Sequence, residues 1–367
     1  MSKDRLPSLL IVGPLPPPPS GSTVSFQIFC DEVRRYSGLQ GVEVIDSSPK
    51  RIKKQAGILS TANVATSWRI LWQFCRRVKM VDQVLIFGSN GFLLSMVPLL
   101  LVVAKIARKP CHVRAFGGSL DCFCDDLMPL FRRLLLLTLR QADGLIVQTE
   151  LLYNHFTALI GDNIHLVPGY RCIASMENGL SSPVTRTGED LRLVFLGHVR
   201  EGKGVFVLLE SLRSLGSSER GAIHCDIFGP VYESVAARFK DELAKTDNAT
   251  YGGVLGPEEV VHMLRSYDAL VFPTHYQGEG HPGVLIEAMM AGIAAITTDF
   301  RSIPELVEDR VNGLLVTPQD AKSLTEAINM LYYDRELLAD MSKRNWELRK
   351  RYDAREVVPL ILRAIGV

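Results

Sequence analysis

The chain has 367 residues, with 47% apolar and 22% charged side chains, 29 glycines and 19 prolines. That length suits two domains of ordinary size, each able to bury its own core, and the composition excludes disordered, collagenous and coiled-coil classes. The net charge is only +1, but residues 1–186 hold 21 Lys and Arg against 13 Asp and Glu, while residues 187–367 hold 20 against 27. A nucleic-acid binder is basic throughout, so no nucleic-acid partner is expected; the basic first half implies a face toward something anionic, such as a membrane surface or an acidic substrate.

In chain order, short β-branched runs alternate with helical patterns, the signature of parallel sheets covered by helices. The opening Met1–Pro7 lacks the apolar core of a signal peptide, so a cytoplasmic location is expected. In the first half, strands are predicted at Ser8–Val12, Val42–Ile45, Gln83–Phe87, Cys111–Ala115, Gly144–Gln148 and Ile164–Val167. Helices are predicted between them at Val24–Tyr36, Thr66–Lys79, Phe92–Ala107, Met128–Gln141 and Leu151–Leu159. Within the third helix, Gly91–Ala104 is nearly free of polar groups. It is too short to span a bilayer and is interrupted by Pro98, so it reads as a helix buried against a sheet, with a helix dipped into a membrane interface as the other reading.

Met176–Asp190 is rich in Ser, Gly, Thr and Pro and reads as a linker. The second half restarts the scheme. Its strands are predicted at Arg192–Leu196, His224–Phe228, Thr250–Val254, Ala269–Pro273, Ala294–Thr297 and Gly313–Val316. Its helices are predicted at Gly204–Leu215, Tyr232–Lys245, Pro257–Tyr267, Val284–Ala291, Ser302–Val307 and Asp320–Tyr333, and Asp353–Ile365 closes the chain with helical periodicity. The expected fold is α/β with two Rossmann-like domains: residues 1–182, residues 183–350, and a closing helix within 351–367 that returns to the first domain. Ligands of such sheets sit at the carboxyl ends of the strands.

Two such strand ends carry chemistry. Gly278-Glu279-Gly280-His281-Pro282-Gly283-Val284-Leu285-Ile286-Glu287 follows the strand ending at Pro273 and runs into a helix, with Pro282 suited to its first position. The free N–H groups of a helix start hold anions. Carboxylates beside a phosphate repel it, so Glu279 and Glu287 need another task, and accepting hydrogen bonds from sugar hydroxyls is the natural one. The second element is Leu193–Gly204, a strand followed by a loop with Gly197, His198, Arg200, Gly202, Lys203 and Gly204. Flanking glycines let Lys203 approach a diphosphate, and Arg200 is able to grip it bidentately. Phosphates and hydroxyls together describe a nucleotide sugar.

Together these elements resemble the retaining glycosyltransferases of family 4, which have the GT-B fold. The two glutamates seven residues apart and the Gly-Arg-Leu-x-x-x-Lys-Gly loop of that family match Glu279, Glu287 and Gly197–Gly204, and Val271–Thr274 and Ile303–Val316 also fit. The resemblance implies that Glu287 binds ribose, Glu279 binds the donor sugar, and Lys203 with Arg200 neutralises the leaving diphosphate. It implies further that the stretch from Gly280 and His281 through Gly283, Val284 and Leu285 holds sugar and phosphates, that Gly253–Gly256 with Leu255 lies along the base, and that Gly21 belongs to a loop closing over the phosphates.

Three departures stand out. His198 replaces the loop arginine, so that charge falls to Arg200 or to a protonated His198; Phe116 stands where the family often has a histidine; and Gly21-Ser22 has one glycine fewer. The resemblance implies transfer from a UDP- or GDP-type sugar to an acceptor hydroxyl without a resident cofactor; the lack of an acidic metal-binding triplet predicts metal-independent transfer, and the basic first half with the apolar Gly91–Ala104 stretch suggests a saccharide or lipid-linked saccharide acceptor and contact of the first domain with the inner face of a membrane. The other readings are a sugar-nucleotide epimerase on the same architecture and a non-catalytic protein that kept the fold. Cys30, Cys75, Cys111, Cys122, Cys124, Cys172 and Cys225 lack metal spacing and read as reduced thiols. Asp121, Asp125 and Asp126 read as helix caps.

Overall fold

The computed structural model describes residues 6–48, 61–172, 182–183 and 188–367, with side chains from 64 onward in the second of these segments. The opening residues and most of the Met176–Asp190 linker lie outside the described residues. The chain divides into two compact units, 1–168 with 354–367, and 169–353. The division thus falls after Pro168 rather than at 182/183, because Arg171 already belongs to the second unit: its N–H donates to Tyr352 O, and it forms a bridge to Asp353.

The first unit runs β1 (Ser8–Gly13), α1 (Gly21–Arg35), β2 (Gly41–Asp46), α2 (Thr61–Arg77), β3 (Gln83–Gly88), α3 (Asn90–Ser95), α4 (Val97–Ile106), β4 (Cys111–Ala115), α5 (Leu120–Asp126), α6 (Pro129–Gln141), β5 (Gly144–Val147), α7 (Glu150–Ile160) and β6 (Ile164–Leu166). Its sheet has the order β2-β1-β3-β4-β5-β6, every pairing parallel. The inner strands are apolar on both faces because helices cover both; β1 and β3 are buried along nearly their whole length. The single helix expected over Phe92–Ala107 is two. Met96 ends α3 and caps α4, and Pro98, which has no N–H to continue a helix, sits in the first turn of α4.

The second unit runs β7 (Leu191–Leu196), α8 (Val205–Arg213), α9 (Ser217–Ala222), β8 (Ile223–Phe228), α10 (Ala236–Ala244), β9 (Ala249–Gly253), α11 (Val260–Leu264), β10 (Ala269–Phe272), α12 (Gly283–Ala291), β11 (Ala294–Thr298), β12 (Leu314–Val316), α13 (Ala321–Tyr333) and α14 (Arg335–Leu348). Its parallel sheet has the order β12-β11-β10-β7-β8-β9. Strand order reverses between β7 and β10, the topological switch point where open α/β sheets bind ligands outside the strand carboxyl ends. The loops leaving those two strands are the ones singled out by the sequence.

The helix expected at Ser302–Val307 is only a 3-10 turn, Ile303–Glu305. Helix α14 lies outside the expected elements, its buried face mixing Leu338 and Met341 with the polar Ser342 and Asn345. Asn345 donates to Ile293 O and Asn312 O, each 2.8 Å, and accepts from the Asn312 amide at 3.0 Å. The closing helix α15 (Ala354–Ala364) belongs to the first unit, where it packs on α1 and β5 with Val357, Val358, Ile361 and Leu362 buried. Among the described residues no helix is long and apolar enough to cross a membrane.

Candidate functional site

The site is built from the loop after β7. Backbone turns at Arg200–Gly204 form a 3-10 turn, Glu201–Lys203, that ends on Gly204 in the left-handed region at φ 78°. A Cβ there would lie 2.0 Å from Pro273 O, so only glycine lets the two loops touch. This contact aims Lys203 into the loop after β10, where its ammonium pairs with Glu279. Glu279 is 6% exposed. Its carboxylate also lies 2.9 Å from the buried Thr274 hydroxyl, which is 3.1 Å from Gly202 O, so one hydroxyl bridges the two loops. The Tyr276 ring faces both cations, with Arg200 Cζ 4.4 Å and Lys203 Nζ 5.0 Å from its centroid; Tyr232 gives Arg200 a second ring at 5.4 Å. Such cation–π contacts fix the side chains without neutralising their charge. The His198 ring lies 5.5 Å from that of Tyr232, tilted by 55°.

Downstream, Ser302 donates to Gly280 O at 2.8 Å. His281 is held at both ring nitrogens: Nδ1 accepts from the Gly169 N–H at 3.1 Å, which leaves the proton on Nε2 to face Glu305 at 3.2 Å. His281 therefore anchors the loop. Helix α12 starts at Gly283, so Pro282 is its N-cap rather than its first residue. The helical hydrogen bonds begin at Leu285 and Ile286, both donating to Pro282 O, which leaves the Gly283 and Val284 amides outside the ladder. Such a start carries partial positive charge.

One turn further, Glu287 meets a residue the sequence did not announce. Arg171, 8% exposed, donates through Nε to Glu287 Oε1 at 2.6 Å and through Nη1 to Tyr170 O at 3.0 Å. Its guanidinium lies over Gly283, where a Cβ would come within 1.6 Å of Nη2. No local pattern could have found it, since its partner is 116 positions away. Thr274 and Tyr276 were more legible, as polar and aromatic residues in the loop that carries Glu279.

The structure thus brings Arg200, Lys203 and Glu279 together, and sets Glu287 on the helix that the same loop starts. Leu255, just beyond β9, packs against the core of the second unit. Gly21 stands in the first unit as the first residue of α1, behind a Ser20–Thr23 capping box. The capping reading of Asp121, Asp125 and Asp126 fails. The N-cap of α5 is Ser119; Asp121 is in its first turn, whereas Asp125 and Asp126 are at its far end, where Asp125 faces Arg132 at 3.4 Å. All seven cysteines are free, and burial pushes the Cys30 thiol up to about 12.

Two ion pairs, Lys203–Glu279 and Arg171–Glu287, thus stand beside the unladdered amides of the α12 start at the switch point, which sets cationic donors, amide donors and carboxylate acceptors together. Residues 181–347 match the family model described as glycosyl transferases group 1. The chain is 31% identical over 143 residues to the amylovoran biosynthesis glycosyltransferase AmsK of Erwinia amylovora, covering 37% of this chain and 34% of that protein. It is 32% identical over 152 residues to the putative colanic acid biosynthesis glycosyltransferase WcaL of Escherichia coli K12, covering 40% and 37%. The chain thus spans little more than a third of these relatives. Over the whole chain, the crystal structure of Anabaena Alr3699/HepE in complex with UDP superposes with a TM-score of 0.73 at 13% identity, covering 98% of this chain and 99% of that one. The lipopolysaccharide outer core galactosyltransferase WaaB superposes at 0.68 and 15%, with 98% and 99% covered. The fold is GT-B: two Rossmann-like domains, each on a six-stranded parallel sheet.

Proposed function

We propose that this protein is a glycosyltransferase that moves a sugar from a nucleoside diphosphate sugar to a hydroxyl of a saccharide or lipid-linked saccharide, with retention, in the assembly of a bacterial polysaccharide. The observation that carries the reading is the meeting of Lys203 with Glu279 across the switch point. The matched family region supports it, as do relatives named for amylovoran and colanic acid biosynthesis and a neighbour crystallised with UDP.

In this reading Glu287 accepts the ribose hydroxyls and Glu279 a hydroxyl of the transferred sugar. Lys203, Arg200 and the amides at Gly283 and Val284 receive the diphosphate, and the stretch at Leu255 borders the base. As the glycosidic bond breaks, positive charge grows on the sugar and negative charge on the leaving diphosphate. The preorganised cations stabilise that developing charge, each contributing about 3 kcal/mol. No protein nucleophile is needed. Lys203 rests against Glu279, so donor binding in this reading exchanges that ion pair for a phosphate contact and frees Glu279 to accept a hydroxyl, while Arg200 reaches the phosphates from the faces of Tyr276 and Tyr232.

The test is an assay of purified protein with UDP- and GDP-sugars against saccharide and polyprenyl-linked acceptors, with the product anomer read by NMR. A product of the donor's own anomeric configuration supports the proposal. A donor sugar altered without any acceptor indicates an epimerase, and binding without turnover a non-catalytic protein.

A further inference from the structure

Outside this site, the first unit presents an unusual face. Helix α4 lies between α2 and α6 and packs on both. Its inner side (Val97, Leu100, Leu101 and Ala104) is buried, so the apolar Gly91–Ala104 stretch is mainly a core element. The outer sides of all three helices, however, carry large apolar groups in helical register. On α2 these are Val64, Trp68 and Trp72; on α4, Leu99, Val102 and Ile106; on α6, Leu130, Leu134 and Leu137. Trp68 is 70% exposed, Ile106 77% and Leu130 75%. The described part of the second unit exposes only Val254, Val311 and Tyr333 among its large apolar side chains.

The charge on these helices is one-sided. Helices α2, α4 and α6 contain no Asp or Glu. Their exposed cations share the apolar stripes: Arg76 follows Trp72 by one turn and stacks on its ring at 4.6 Å, Lys105 follows Val102 by three residues, and Arg133 lies between Leu130 and Leu137. Along α6, a groove of about 580 Å³ is lined by Arg132, Arg133 and Arg140 with Leu136 and Leu137, and by Asp125, which pairs with Arg132 at 3.4 Å and leaves the other two arginines as its net charge. A patch of this extent marks an interaction surface. A protein-binding surface concentrates its apolar groups and depletes charge from their midst. Here cations are interleaved with Trp, Leu and Ile, the arrangement that lets apolar groups enter a headgroup layer while long cationic side chains reach phosphates.

We propose that the joint outer face of α2, α4 and α6 is a docking surface for an anionic lipid bilayer. The reading is independent of the donor site. Juxtamembrane cations contribute about fivefold each to partition onto anionic membranes. The experiment is co-sedimentation of the full-length protein at low salt with vesicles of phosphatidylcholine alone or mixed with phosphatidylglycerol. The expected result is binding to the mixed vesicles only. The triple variant Arg76→Gln, Lys105→Gln, Arg133→Gln should weaken it about a hundredfold, and Trp68→Ser with Trp72→Ser at least tenfold, with circular dichroism unchanged in both. Equal binding to neutral vesicles, no binding to either, or no loss in the two variants overturns the proposal. So does self-association in sedimentation velocity that is abolished by the Trp pair, which would make the face an interface between copies.

Discussion

At the scale of single residues, the account rests on cations placed against carboxylates by glycines that admit no substitute. Lys203→Ala should lower kcat about a hundredfold, since removing one preorganised charge from a reacting centre costs about 3 kcal/mol, and it should also lower the melting temperature, because it strands the buried Glu279 carboxylate. Gly204→Ala should do both kinds of damage, lowering turnover and destabilising the fold by about 2 kcal/mol or more, because a φ of 78° and a backbone oxygen 2.0 Å from the new Cβ act together. Arg171→Ala leaves Glu287 without its partner and should lower thermal stability by about 3 kcal/mol, the cost of stranding a largely buried charge; a melting curve identical to the parent's would refute it. His112, which is buried, and His275, which is half-buried, add a pH dependence. Burial holds His112 and His275 below the ordinary imidazole range, although Asp143 and Glu201 pull the other way. The unfolded chain takes up protons near pH 6.5 that the fold resists, so the stability present above that pH is lost as the solution is acidified through the folded values. Denaturant titrations from pH 7.5 to 5 should show this slope, and His112→Asn should flatten it; a slope unchanged by the variant would assign it elsewhere.

At the scale of elements, the strands were the most legible part of the chain. Parallel strands covered on both faces are continuous apolar runs, and all twelve appear within one or two residues of Ser8–Val12, Gln83–Phe87, Ala269–Pro273 and their counterparts. Helices were legible where an apolar stripe faces a sheet and hidden where burial is polar. Helix α14 is the instance: only Leu338 and Met341 of its buried residues are apolar, and Asn345 completes that face by donating to Ile293 O and exchanging hydrogen bonds with Asn312. The same distinction explains the site. Lys203, Arg200, Glu279 and Glu287 were legible as candidates because local spacing marks two strand-loop-helix turns, which the structure brings side by side. Arg171 was not, because the ion pair that holds Glu287 joins segments with no common motif. The glycines at 204 and 283 read as giving room to a ligand; the structure shows that each also clears a path for a particular neighbour, Pro273 O in one case and the Arg171 guanidinium in the other.

At the scale of the whole molecule, the uneven charge along the chain has a structural counterpart. The excess of Lys and Arg in residues 1–186 includes those of α2, α4 and α6, three neighbouring helices without one acidic residue. The chain path has its own consequence. Residues 354–367 complete the first unit although they follow the second, and Val357, Val358, Ile361 and Leu362 each bury an aliphatic side chain worth about 1.5–3 kcal/mol there. A protein ending at Asp353 should therefore lose the first unit selectively: limited proteolysis should cut within residues 6–168 and spare 188–353, whereas equal resistance of both would show that α15 is dispensable. The central claim, that the loops after β7 and β10 together grip a nucleoside diphosphate, is tested most directly by calorimetric titration of UDP and GDP into the parent protein and into Lys203→Ala. One nucleotide should bind the parent and lose at least tenfold in affinity with the variant. Absence of binding by either nucleotide, or equal affinity in the two proteins, would contradict it.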